Sequence, residues 1–275
     1  MEKDKESHGS EKGYKLLSLV EEGRDVTIRD DLYDFLWVLD AVKLCRKKGF
    51  RFRLIDSGQL DCLQLERLAE EGIDFYTSDE VKRSVQELTV IKKSLRRRKN
   101  FIAFFCNGDL KTEKETDSLS CSDYLELARN GIYLYVTNRE KERNFSEFSE
   151  LARQCKKHRS WLVYYHHGPL DSSIMELSKS GAWIHISDES INEAKDLEIV
   201  LNIIKSTRSS RANLVLYLEK GLELSYLKDI HKAGAFVLFK SPLFEKDSLF
   251  KPLAEKAGKR KLDVRAYYLY SKFML

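Results

Sequence analysis

A chain of 275 residues, 42% apolar and 33% charged, carries enough apolar material for a sizeable core under a highly charged surface, and it lacks the run of about 18 apolar residues that would span a membrane. A formal net charge of +4 is too small to imply nucleic acid by itself. The five cysteines, Cys45, Cys62, Cys106, Cys121 and Cys155, are odd in number and form no CxxC pair, which argues against a disulfide framework or zinc ribbon and for reduced thiols in a cytoplasmic protein.

Residues 1–24 read as a disordered or loosely packed tail, since Met1 to Gly13 is polar and charged with no apolar core of a signal peptide. Residues 25–275 read as a single domain. A helix is predicted from Asp30 to Lys48, capped by Asp30 or Asp31, with Leu32, Phe35, Leu36, Leu39 and Val42 at helical spacing. Gly49 then releases the chain into a first strand, Phe50–Asp56. Seven more follow at Ile73–Ser78, Phe101–Cys106, Ile132–Thr137, Trp161–His166, Ala182–Ser187, Asn213–Glu219 and Ala235–Lys240. Their nearly continuous apolar content is that of strands covered on both faces. Between them, stretches such as Cys62–Glu71 and Ser225–Ala233 show helical periodicity. A polar insertion occupies Lys111 to Ser120. The tail from Leu262 to Leu275 is aromatic (Tyr267, Tyr268, Tyr270, Phe273) and suits a ninth strand, a barrel plug or a docking segment.

The strands and helices repeat. A strand ends at Gly58, Gly108, Gly168 or Gly221, a helix follows, and Gly72, Gly131, Gly181 or Gly234 opens the next strand, with separations of 14, 23, 13 and 13 residues. Four strand–helix–strand–helix units predict an α/β fold, a (β/α)8 TIM-type barrel of eight strands with an N-terminal helix and an aromatic C-terminal extension. An open doubly wound sheet is the rival arrangement.

Barrel enzymes hold their chemistry at the C-terminal ends of the strands. After the second, fourth and sixth predicted strands the same chemistry recurs, in Ser78-Asp79-Glu80, Thr137-Asn138-Arg139 and Ser187-Asp188-Glu189. This suggests a scaffold requirement, helix N-capping. The first, third, fifth and seventh strands end differently each time, in Asp56-Ser57, Cys106-Asn107, His166-His167 and Glu219-Lys220. Asp56, His166, His167 and Glu219 are therefore the candidate ligands of a divalent metal that would activate water or polarise a carbonyl. Lys220 or Lys240 is the candidate Schiff-base amine or anion contact. Against the metal, His166 and His167 are adjacent on one strand and point to opposite faces, and no HxH, HExxH or DxD motif is present. His185, between Ile184 and Ile186, reads as a core histidine. The turns Leu218–Glu223 and Phe239–Pro242 carry one glycine beside two glutamates, a poor phosphate cradle. That argues against a nucleotide or sugar-phosphate substrate.

Each helix leading into an odd-numbered predicted strand ends in positive charge, in Arg46-Lys47-Lys48, Lys92-Lys93 with Arg96, Arg97, Arg98 and Lys99, Lys156-Lys157-His158-Arg159, and Lys205, Arg208 and Arg211. The last helix does the same, with Lys256, Lys259, Arg260 and Lys261. Such charge complements helix C-termini. It also offers an acidic protein or other anionic partner a basic pole, densest at Arg96, Arg97, Arg98 and Lys99, although no interleaved aromatics support sequence-specific nucleic-acid binding. Thirteen Gly and three Pro are roughly half the usual combined share of about 12%, fewer than elaborate active-site loops use. Together these features favour a non-catalytic or degenerate barrel acting as a cytoplasmic binding or scaffold domain. The alternative is a metal-assisted hydrolase or lyase at the odd-strand ends.

Overall fold

The computed structural model describes residues 13–95, 100–108, 119–139 and 145–239. They form nine parallel strands alternating with helices, in two compact units that divide between Tyr133 and Leu134. In the first unit, helix α1 (residues 13–21) precedes strand β1 (Val26–Arg29), α2 (Phe35–Lys48), β2 (Phe52–Ile55), α3 (Cys62–Glu71), β3 (Asp74–Ser78), α4 (Val85–Ser94), β4 (Ile102–Cys106) and α5 (Cys121–Arg129). The second unit takes up the chain within β5 (Tyr133–Thr137). It continues with α6 (Phe145–Lys157), β6 (Leu162–His166), α7 (Ser173–Lys179), β7 (Trp183–Ser187), α8 (Ala194–Ser209), β8 (Leu214–Leu218), α9 (Leu224–Ala233) and β9 (Phe236–Phe239).

Within each unit, chain neighbours are sheet neighbours and every pairing is parallel, from Val26 opposite Phe52 in the first to Val215 opposite Phe236 in the second. This is the α/β, (β/α)8-type arrangement that the repeat predicts. The eight predicted strands are β2 to β9, each within two residues of its expected limits. The count rises to nine because of β1. Its sequence VTIR holds only two apolar residues, and those two, Val26 and Ile28, are the ones it buries. The expected tail also shortens, because helix α1 buries Leu16 and Val20 completely. The helix expected from Asp30 divides into a 3-10 turn at Asp30–Leu32 and α2 from Phe35.

Local chemistry sets the helix limits. Asp61 with Gln64, Ser84 with Glu87 and Ser120 with Asp123 form reciprocal capping boxes at the starts of α3, α4 and α5. Gly49, Gly72 and Gly234 end α2, α3 and α9 in the left-handed conformation that glycine adopts without strain. Strands β3, β4, β6, β7 and β8 are buried along their whole length. Their bulk is aromatic, with Tyr76 and Phe104 in the first unit and Tyr164, Tyr165 and Tyr217 in the second all essentially inaccessible.

Candidate functional site

The polar residues that end β1, β3, β5 and β7 share one task. Asp30 accepts from the Ser57 amide at 2.8 Å and the Leu60 amide at 3.3 Å. Asp79 accepts from the amides of Asn107 at 3.1 Å and Gly108 at 2.8 Å, and from the Tyr124 hydroxyl at 3.0 Å. Asn138 accepts from the His167 amide at 2.7 Å and donates to the His167 carbonyl at 2.9 Å. Asp188 accepts from the amides of Glu219 at 3.0 Å, Lys220 at 3.1 Å and Gly221 at 2.8 Å.

Four times, then, a side chain at the end of one strand holds the backbone turn that ends the next strand. The recurrence in the sequence is real, but its purpose differs from helix capping. Asp79 clamps a turn while Ser84, five residues on, caps α4; Ser187 caps only the short 3-10 turn at Asp188–Ser190. A Cβ at Gly108 would stand 3.2 Å from the Asp79 carboxylate and press on the clamp.

The clamped turns belong to the very strands whose ends suggest chemistry. In the first unit, Asp56 is fully buried and engaged on both oxygens. Arg83 grips it bidentately at 2.9 and 2.8 Å, the Thr77 hydroxyl donates at 2.7 Å and the Gly58 amide at 3.0 Å. Arg83 also donates to the Leu60 carbonyl at 2.7 Å. A carboxylate with four donors, two of them from one guanidinium, is a structural anchor.

In the second unit, His166 ends β6 and His167 follows it, and the two point apart as neighbours on an extended chain do. His166 lies on the face of Tyr164, which packs edge-on against Phe145 of α6. Its Nε2 donates to the Pro169 carbonyl at 2.9 Å, and burial lowers its pKa, so the ring is neutral. His167 lies on the other face, tilted over Tyr165 at 4.5 Å, in a cluster with His185 and Tyr217. Burial, and then the charge of Arg139, press its pKa down to about 4 against the opposing pull of Glu219 and Glu189. An imidazole this acidic is a weak base at neutral pH.

Lys220 is exposed and pairs with Glu189 at 3.1 Å, a solvated surface contact unlike the desolvated site of a Schiff-base lysine. His185 is a core histidine, completely buried, with Nδ1 2.8 Å from the Tyr217 hydroxyl and Nε2 without a hydrogen bond among the described residues. Among the described residues no three His, Cys, Asp or Glu side chains converge as metal ligands. Lys240 and the aromatic tail lie outside the described residues.

At the opposite ends of the strands some cations pair with carboxylates and others gather without them. In the first, Arg46 pairs with Glu71, Arg51 with Asp74 at 3.0 Å and Arg53 with Asp25 at 2.9 Å. In the second, Arg153, Lys156, Lys157, Arg159 and Arg211 surround an open pocket. Sequence reading finds each of these clusters but not their meeting. The densest run, Arg96 to Lys99, lies outside the described residues.

No family model matches the chain, and no curated protein does. Solved structures are similar at low identity. A mandelate racemase/muconate lactonizing protein from Herpetosiphon aurantiacus is 12% identical over 82% of this chain, with a TM-score of 0.36; this chain spans 56% of that one. A putative fructose-1,6-biphosphate aldolase from Coccidioides immitis is 13% identical over 85% of this chain and 89% of its own, with a TM-score of 0.37. The tryptophan synthase alpha-subunit from Pyrococcus furiosus is 11% identical over 85% of this chain and 94% of its own, with a TM-score of 0.36. At these scores the likeness says nothing of chemistry.

Proposed function

We propose that this chain is a non-catalytic binding domain on a (β/α)8-type frame, engaging an anionic partner through the basic ends of its helices. The observation that carries this reading is the use made of polar side chains at the C-terminal strand ends. Asp30, Asp56, Asp79, Asn138, His166 and Asp188 are all engaged with backbone groups or neighbouring side chains, while cations at the opposite ends in the second unit face an open pocket. A cytoplasmic location suits the five cysteines, none of which is in a disulfide among the described residues. No described helix is long and apolar enough to cross a membrane.

A metal-assisted hydrolase or lyase is the competing reading. What favours it is His167, neutral and half-buried among Glu219, Glu189 and Arg139. Elemental analysis of the purified protein, with thermal melts in chelator and in added divalent metal, separates the two. The binding reading expects no stoichiometric metal and an unchanged Tm on chelation. Stoichiometric metal that is lost in His167→Ala, with a Tm that falls on chelation, would replace it with the hydrolase or lyase reading.

A further inference from the structure

In the second unit a pocket of about 500 Å³ lies where the C-terminal ends of α6 and α8 approach the start of β6. Arg153, Lys156, Lys157, Arg159 and Arg211 line it over Trp161, and no acidic residue does. All five cations are exposed. Arg153 pairs with Glu150 at 2.6 Å; among the described residues the other four make no ion pair. The volume is that of a small-molecule site.

Lysine and arginine near a helix C-terminus ordinarily complement its dipole, and that accounts for Lys156 and Lys157. It does not account for Arg159 and Arg211. Backbone amides already cap the carbonyls there: Ser160 donates to Cys155 at 2.9 Å, and Ala212 to Thr207 at 2.8 Å. Both arginines also sit beyond their helices at φ 60° and 65°, in the left-handed conformation that strains any residue with a Cβ. The helix before β2 ends instead at Gly49, φ 85°. Among the described residues only Lys82, Arg159 and Arg211 are non-glycine with positive φ, and two of the three line this pocket. Backbone strain of this kind clusters at ligand-binding sites, where the side chain is needed for more than the fold.

We propose that this pocket is a binding site for an oligophosphate, a ligand carrying two or more linked phosphates, held by Arg159, Arg211 and the two lysines above Trp161. Guanidinium groups match phosphate oxygens in geometry as well as charge. A single phosphate brings about two negative charges, fewer than the four cations left without an ion pair. The inference rests on the binding reading above but fails separately from it. Metal dependence at the strand ends would overturn that reading and leave the titration of this pocket unaffected.

The test is calorimetric titration of the full chain with inorganic tripolyphosphate, with ATP, and with sulfate at matched ionic strength, followed in parallel by tryptophan fluorescence. Tripolyphosphate is expected to bind at least about tenfold more tightly than sulfate, with affinity falling as salt screens the site. Trp161→Phe is expected to abolish most of the fluorescence change. In the double variant Arg159→Gly, Arg211→Gly, affinity is expected to fall about tenfold or more while Tm holds or rises, because glycine relieves the backbone strain. Equal affinities for tripolyphosphate and ATP would assign binding to the phosphate chain alone, and tighter ATP would add a ring contact; either supports the site. Tripolyphosphate bound no better than sulfate would overturn the proposal. So would a double variant that binds as the wild type does, or an oligonucleotide that binds while tripolyphosphate does not.

Discussion

The histidines of β6 and β7 show how burial sets protonation in this protein. His185 is pressed down to about 3 by desolvation alone, His167 to about 4 by desolvation and then Arg139, and His166 is lowered for the same first reason. In the unfolded chain an imidazole titrates near pH 6.5. Below that pH the unfolded state binds protons that the folded state refuses, so stability is full above about 6.5 and declines as pH falls toward the folded values. For the wholly buried His185 the slope approaches about 1.4 kcal/mol per pH unit across that window. Urea unfolding at pH 7, 6 and 5 should show falling stability, with a shallower fall in His185→Gln. The same fall in both proteins would mean that His185 is not responsible. Sequence reading placed His185 in the core from its apolar neighbours. It could not find the Tyr217 hydroxyl, 32 residues away, that satisfies Nδ1.

At the scale of elements, the four clamps join every second strand, β1, β3, β5 and β7, to the turn after the strand that follows it. An amide donating to a carboxylate contributes about 1.5–3 kcal/mol, more than one donating to a neutral acceptor. Asn138 shows that a single amide oxygen suffices where one backbone N–H and one carbonyl must be held. Asp188 holds three N–H groups and needs both oxygens. Asp188→Asn is therefore expected to cost about 1–3 kcal/mol in urea unfolding, and Asn138→Asp to destabilise by turning a carboxylate toward the His167 carbonyl. Wild-type stability in both variants would show that the clamps are incidental. The recurring triplets make this motif visible in the sequence, yet a partner 27 to 33 residues downstream leaves no local signature. Helix capping was the nearer explanation for the same residue types. Asp30, the first member of the set, was hidden because VTIR has too few apolar residues to announce the strand before it.

For the whole chain, periodicity carried most of the architecture. The limits of α3 fall where the apolar spacing and Gly72 place them, because an amphipathic stripe and a left-handed cap are both local properties. The boundary between the compact units falls within β5, with β1–β4 on one side and β6–β9 on the other. The frame is uniform along the chain, and the ionic dressing of the helix ends is not. Arg46, Arg51 and Arg53 find carboxylates in the first unit, whereas Lys156, Lys157, Arg159 and Arg211 find none among the described residues of the second. The net charge of +4 averages over that asymmetry and conceals it. The clue in the sequence was finer. Arg159 and Arg211 stand where the helix before β2 ends in glycine, a contrast that appears only when the repeats are laid over one another.

The clamps also alter how the protein breathes. Surface turns usually surrender their amide protons to solvent without waiting for the structure around them to open. Here the amides of Ser57, Asn107, Gly108, His167 and Gly221 are each fastened to a side chain from the preceding strand, so they can exchange only when neighbouring strands part. Deuterium labelling should find the turns after β2, β4, β6 and β8 nearly as slow as the strands themselves, and fast exchange there would contradict the clamps. Turns locked in this way are splints rather than hinges, and none of them can serve as a moving lid without first losing its clamp.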